Sequence, residues 1–313
     1  MNIIEQSAEI IEQKPGISGL YEHIERVGRT CYKSEDYMKE GSSERFVKQM
    51  IKNGHTAMLE HGTLYLYFKH DPDKYPDDGD PFDVSLNLTL NPYTQSNHNW
   101  ETHEVFYTTN LRVIVEMLPD QWEQFIAHHM VDYDDRFIKR TTIKCITDRG
   151  VSHELVRHRV FSFAQESQRY CNYSKDKFNR SITFIKPVEF KFPVGEVYYH
   201  DGICWRIQKE DGETISVLPK NVEDNASLLS SFFSTLNSSE ETYFYLLKEG
   251  YPSQTARSVL PNSTKTEICM TGSSTQWDGF LDLRYKETTG KVSPQMKDLS
   301  TKINKLINGE DNI

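Results

Sequence analysis

Cysteine is scarce and scattered. Only Cys31, Cys145, Cys171, Cys204 and Cys269 occur, an odd number with no two close in sequence. That excludes a disulfide framework or a Cys-x-x-Cys metal knuckle and leaves buried reduced thiols as the plain reading. Positive charge is also short: 36 Lys and Arg stand against 46 Asp and Glu, a net charge of −10. A protein that grips nucleic acid non-specifically needs the opposite sign, so no nucleic-acid partner is expected. No apolar run is long enough to span a bilayer, and no membrane association is expected. The opening stretch MNIIEQSAEIIEQK carries acids inside its apolar part, which is wrong for a signal peptide and points to a cytoplasmic protein. Internal repeats and low-complexity segments are absent.

What is present reads as a globular chain, 37% hydrophobic and 12% aromatic over 313 residues. That is enough to bury a core without staples. The spacing predicts a helix over 18–31 capped by Ser18, with Leu20, Ile24, Val27 and Cys31 on one face. It predicts a second over 43–53 ended by Gly54. Leu64–Phe68 reads as a strand. The run DPDKYPDDGDPFD at 71–83 holds six Asp and three Pro, a solvated loop. Val84, Leu86, Leu88 and Leu90 alternate with polar residues, as in a half-buried strand. Asn110 and Asp120 are placed to cap two short helices, and 137–146 reads as a strand. Asp148 caps a helix bearing Val151, Leu155 and His158. Ile182–Ile185 is a short strand, and 188–222 reads as one or two hairpins with a turn at Asp201-Gly202. A long helix runs over 226–249, ended by Gly250, and Pro252 opens the next, which carries Arg257. Ser293-Pro294 opens the last, with Met296, Leu299, Ile303 and Leu306 on one face and a frayed tail after Asn308. This order fits an α+β (α/β) fold with helices around a mostly antiparallel sheet.

The densest chemistry is Arg157-His158-Arg159-Val160-Phe161-Ser162-Phe163-Ala164-Gln165-Glu166-Ser167-Gln168-Arg169-Tyr170. Arginine suits phosphate because its planar fork donates two hydrogen bonds at once. The competing reading is a solvated basic helix face neutralised by Glu154 and Glu166. His55, Glu60 and His61 lie within seven residues, but no further ligand is evident, so no metal is expected. A turn at a helix end with polar core contacts is the plainer alternative there.

The basic segment resembles the Arg-His-Arg-x7-Ser signature of the flavin-dependent thymidylate synthase family. Other blocks follow in that family's order. They are Arg29-Thr30-Cys31-Tyr32, Gly54-His55-x4-Glu60-His61, Ala256-Arg257-x-Val259-Leu260-Pro261 and Phe280-Leu281-Asp282-Leu283-Arg284. The resemblance implies one domain over 1–313, of the thymidylate synthase-complementing fold, with insertions at about 69–136 and 188–225. It implies that dUMP is converted to dTMP, with FAD as redox cofactor, NADPH as reductant and methylenetetrahydrofolate as carbon donor. It also implies a homotetramer with active sites at subunit interfaces. FAD contacts would fall to His55, Ala57, Glu60, Arg157, His158, Arg159, Gln165, Ser273 and Gly279. The dUMP contacts would fall to Glu154, Arg157, Gln165, Ser167, Gln168, Arg169, Arg257 and Arg284, with Arg284 activating the uracil ring. Departures from the family's commoner pattern fall at Cys31, Glu154, Ala164-Gln165, Ser273-Ser274-Thr275 and Gly279. Two alternatives remain from the residues: transfer of a hydroxymethyl group to a uracil nucleotide, or non-catalytic binding of nucleotide or RNA.

Overall fold

The strand Lys265–Ser273 is buried at eight of its nine positions, because both of its faces are covered and both of its edges are paired. It runs antiparallel to Arg140–Asp148 on one side and to Ser162–Gln165 on the other, and Ser7–Ile11 completes a four-stranded sheet beyond Arg140–Asp148. In this computed structural model, which describes residues 1–69, 81–200, 204–217 and 225–309, that sheet carries the centre of the molecule. One face presents Ile143, Cys145, Ile268 and Met270. These pack on Trp277, Phe280 and Leu281 of helix Ser274–Arg284 and on Met296, Leu299 and Ile303 of helix Pro294–Asn308. The other face packs Cys269 and Ala164 against Val27 of helix Gly16–Thr30.

Two further antiparallel assemblies flank this centre. Strands Gln95–Asn99, Glu104–Asn110, Thr63–Lys69 and Met130–Val131 form one sheet. Its core includes Leu64, Leu66 and Tyr107, with Leu20, Ile24 and Val47 from the first two helices. The other sheet orders Thr214–Val217, Cys204–Gln208, Gly195–His200, Asn2–Ile4 and Thr183–Ile185, with a single parallel pair at its end. It packs Ile3, Trp205 and Ile207 on Phe233, Leu236 and Tyr243 of helix Asn225–Lys248. The architecture is therefore α+β, with helices flanking antiparallel sheets. No described helix is long and apolar enough to cross a membrane.

Several elements differ from the sequence expectations. The leucine alternation at 84–90 lies in a helix, Pro81–Leu90. Ser85 and Leu88, three residues apart, are buried, while Leu86 and Leu90 are exposed. The Ser85 and Thr89 hydroxyls both meet the Tyr107 hydroxyl at 2.7 Å, and that contact requires helical spacing. Ser18 lies inside the first helix, which starts at Gly16 after Pro15. Gln121, not Asp120, precedes helix Trp122–His129. The strand expected from 137 begins at Arg140, because Phe137 instead joins Tyr65 and Phe106 in an aromatic cluster. His158 falls beyond the helix that Asp148 caps, which ends at Leu155. Leu306 is 36% exposed at the edge of its helix. The caps at Asn110, Asp148 and Ser293 accept backbone N–H groups as expected. Gly54 adopts φ +68° after helix Ser42–Lys52. Of the loop expected at 71–83, residues 81–83 instead open helix Pro81–Leu90, while 71–80, the Asp201-Gly202 turn and the chain end from 310 lie outside the described residues.

Candidate functional site

Asp148 ends a sheet strand and starts helix Arg149–Leu155 by accepting the Val151 N–H at 2.6 Å. This junction fixes Arg149, whose backbone N–H donates to the Asn262 carbonyl at 2.8 Å and whose guanidinium donates to Thr266 Oγ1 at 3.3 Å. Gln165, on the edge strand, donates from Nε2 to Ser152 Oγ at 2.9 Å and to the same Thr266 hydroxyl at 3.2 Å. Burial pulls the Arg149 pKa below its usual value. The cation of Arg257 adds to the effect, while Tyr173 and Glu166 oppose it. Both arginines are half-buried. Neither has a carboxylate partner among the described residues. Two like charges close enough to act on one another, with no carboxylate at ion-pair distance among the described residues, would suit a small dianion.

A second group gathers at the far end of the same helix. Arg284 donates from Nε to His158 Nε2 at 2.9 Å and lies 3.6 Å from Glu154 Oε2. Ser293 Oγ donates to Glu154 Oε1 at 3.1 Å, and Ser300 Oγ holds the Arg284 carbonyl at 3.0 Å. Burial, and then the Arg284 charge, push His158 down to about 4. The ring is therefore neutral at physiological pH and presents Nε2 as an acceptor. Phe280 lies edge-on to it with centroids 4.9 Å apart.

The remaining signature arginines, Arg157, Arg159 and Arg169, are exposed and unpaired by any carboxylate among the described residues. The reading of a self-neutralised helix face therefore fails: Glu154 is taken by Arg284, and Glu166 by Lys265 and Tyr173. Arg169 lies 5.3 Å over the Tyr170 ring, which contacts the Tyr32 ring at 5.1 Å. Ser167 N–H donates to the Cys31 carbonyl at 2.9 Å. Gln168 is buried, and its amide nitrogen has no partner among the described residues. Cys31 and Tyr32 also line a cavity of about 470 Å³, together with Phe46, His55, Ala57 and Arg112. Glu60 beside it is held by Arg112 at 2.6 Å.

Two expected contacts stand differently. Ser273 is 1% exposed. Its hydroxyl caps helix Ser274–Arg284 in a reciprocal box with Gln276, so that side chain is committed to the fold. Gly279 lies on the exposed side of the same helix, with nothing within 4 Å of where a Cβ would stand. Arg149 was missed by sequence reasoning. It precedes the Arg-His-Arg triplet by eight residues and reads there as an ordinary first-turn residue. The available signal was its place at a capped strand-to-helix junction.

The family described as thymidylate synthase complementing protein matches residues 138–307. Among curated relatives, the flavin-dependent thymidylate synthase of Geobacter sulfurreducens is 26% identical over 161 residues, 51% of this chain and 53% of the relative. That of Corynebacterium efficiens is 29% identical over 140 residues, 44% and 46% respectively. The one from Corynebacterium aurimucosum is 28% identical over 188 residues, 59% and 65%. The chain thus spans about half the length of the first of these relatives. A solved UMP/dUMP methylase from Streptomyces cacaoi, bound with 5-Br dUMP, superposes with a TM-score of 0.40 at 14% identity, over 97% of this chain and 90% of that one. The matched region takes in the Arg149–Arg257 pair, the whole basic signature and Arg284 and covers more than half of the sequence; the chain belongs to the thymidylate synthase complementing protein family.

Proposed function

We propose that this protein methylates the uracil ring of dUMP to give dTMP, with FAD as redox cofactor, NADPH as reductant and methylenetetrahydrofolate as carbon donor. The observation that carries the reading is the pair of half-buried arginines without carboxylate partners, Arg149 and Arg257, with Gln165 sharing the Thr266 hydroxyl with Arg149. A 5′-phosphate dianion supplies the counter-charge this pair lacks. Ser167, Gln168 and Arg169 follow on the same loop and extend the grip toward the nucleotide.

Arg284 would then meet the pyrimidine. A fixed cation about 4 Å from an ionised ring stabilises it by roughly 4 kcal/mol at an effective dielectric near 20, which lowers the N3 pKa by up to about three units. Neutral His158 orients the guanidinium without adding charge, while Glu154 competes for it and reduces this gain. Arginine cannot itself take the proton at neutral pH, so the proton passes to water or another acceptor.

The residues suit FAD in part. Arg157 and Arg159 are exposed and free of carboxylates, as a pyrophosphate would require, and the cavity beside His55 and Ala57 has aromatic and apolar walls for a ring system. Ser273 is buried with its hydroxyl oxygen capping a helix, so its side chain is poorly placed to reach the flavin. Bound there, the flavin would supply the redox equivalents, and the protein the positioning. Arginines left outward-facing on one chain also fit a site completed by a second copy, as in a homotetramer.

The test is anaerobic turnover of dUMP with FAD, NADPH and the folate donor, comparing wild type with Arg284→Ala. Product with the mass of dTMP from wild type, lost in the variant, is expected. A hydroxymethylated product would change the reaction class. Full turnover by the variant would remove Arg284 from its role.

A further inference from the structure

Gln165 and Ser167 flank a residue that faces the other way. The Glu166 carboxylate is 2% exposed. It accepts from Tyr173 Oη at 3.0 Å and pairs with Lys265 Nζ at 3.0 Å. Its backbone N–H donates to the Glu267 carbonyl at 2.8 Å. Lys265 also holds Glu267 through a very short contact, and Glu267 in turn pairs with Lys33 at 3.0 Å and Lys144 at 2.7 Å. These five charged side chains, from four segments, form the buried centre of an ionic network that continues to Glu35 and Glu9 at its edge. The same segments hold the loop's backbone, since Ser167 donates to the carbonyl of Cys31, two residues before Lys33. Tyr173 extends the chain of contacts to helix Asn225–Lys248, where its N–H donates to the Tyr243 hydroxyl at 3.3 Å.

We infer that Glu166 is a positioning residue for nucleotide binding: locked between Tyr173 and Lys265, it fixes the loop so that Gln165 and Ser167 both face the phosphate. This rests on the reading of those two residues as dUMP ligands. The lock works through complementary donors and acceptors, and a buried carboxylate between two donors has one stable orientation. In Glu166→Gln the volume survives and the Tyr173 hydroxyl can turn to accept from the amide NH₂, but the amide oxygen left facing Lys265 carries no charge, so the ion pair that fixes the loop is lost. Lys265→Met in the same chain removes the ammonium left short of a carboxylate, while Glu267 keeps Lys33 and Lys144.

Steady-state kinetics with dUMP on the flavin-loaded enzyme test this. Glu166→Gln should raise KM for dUMP about tenfold and leave kcat within about twofold, as loss of uniform ground-state binding does. The double variant Glu166→Gln/Lys265→Met should bring KM back toward wild type. A merely structural role would lower thermal stability without this split or rescue. An unchanged KM in the single variant, or a defect the double variant fails to relieve, overturns the inference. If Glu166→Gln does not fold, Tyr173→Phe removes one donor alone and should raise KM roughly threefold; an unchanged value overturns the inference. If wild type does not act on dUMP, the functional reading fails separately, and amide exchange then decides. Faster exchange at Ser167 and Cys171 in Glu166→Gln, or in Tyr173→Phe if that variant alone folds, supports the lock, and unchanged exchange refutes it.

Discussion

Arg257→Ala gives a sharp test of the dianion receptor, because it should act in opposite directions on binding and on stability. Arg257 makes no hydrogen bond or ion pair with a side chain among the described residues, and its charge works against that of Arg149. Its removal from the free protein therefore costs no side-chain hydrogen bond or ion pair and relieves a repulsion, which offsets the packing lost with its stem, so the melting temperature should stay close to wild type or rise. Its removal from the complex deletes a charge-assisted hydrogen bond to phosphate, worth about 1.5–3 kcal/mol, which converts to roughly 10- to 150-fold in affinity. Calorimetric titration with dUMP should show that loss, and the wild-type affinity should fall with added salt more steeply than the variant's. Deoxyuridine serves as the control, since it carries the same base and sugar without the dianion. Its weak binding should change by no more than about twofold in the variant, an allowance taken from the usual non-additivity of neighbouring contacts. An equal loss for dUMP and deoxyuridine would refute the assignment, and so would a variant that melts well below wild type.

Acid should destabilise the fold earlier than carboxylate titration alone requires. Burial holds His23 and His158 down to about 4 and His61 to about 3, against 6.5 when free. The unfolded chain thus takes up protons between pH 6.5 and those values that the folded chain refuses. Stability present above pH 6.5 is lost as pH falls, with a limiting slope of about 1.4 kcal/mol per pH unit for each buried histidine. Urea denaturation at pH 7.5, 6 and 5 should trace the decline, and a flat profile over that range would contradict it. Asp148→Ala should cost about 1 kcal/mol of stability, as removal of a helix cap does, and should also weaken dUMP binding, because Arg149 is the next residue. Urea midpoints and dUMP titration check the two effects together.

Local chemistry made some of this structure legible. Asn110, Asp148 and Ser293 announce helix starts because the residue that accepts the backbone N–H lies only three positions before its donor. Two-sided burial hid the most important strand. Lys265–Ser273 carries Ile268 and Met270 on one face and Cys269 and Thr271 on the other, all buried, so no apolar-polar alternation marks it. The leucines at 84–90 misled for the opposite reason: their period of two is clean, yet the Tyr107 hydroxyl and the core select Ser85, Leu88 and Thr89 at helical spacing. In the site, the arginines were visible as a cluster, but their freedom from carboxylates was not. That freedom depends on Glu166 finding Lys265, 99 residues away, and on Glu154 meeting Arg284, 130 residues away.

The net charge of −10 and the unpaired arginines are best understood together. At physiological ionic strength a charge is felt over only about 8 Å, so the overall excess of acid cannot neutralise a site whose nearest carboxylates are already engaged. Glu166 is engaged by Lys265 and Glu154 by Arg284. Arg149 and Arg257 therefore keep a local positive potential that a small dianion can enter. A long polyanion would have to lie across the acid-rich remainder as well, and its extended backbone cannot reach two half-buried guanidiniums as a terminal phosphate can. If the site takes dUMP as proposed, discrimination against RNA would follow from where the carboxylates are spent. If either acid were released, by Lys265→Met or Arg284→Ala, the freed carboxylate would lie near the phosphate site or the ring site and weaken it. Each substitution should therefore reduce affinity for dUMP even where the substituted side chain does not itself touch the phosphate.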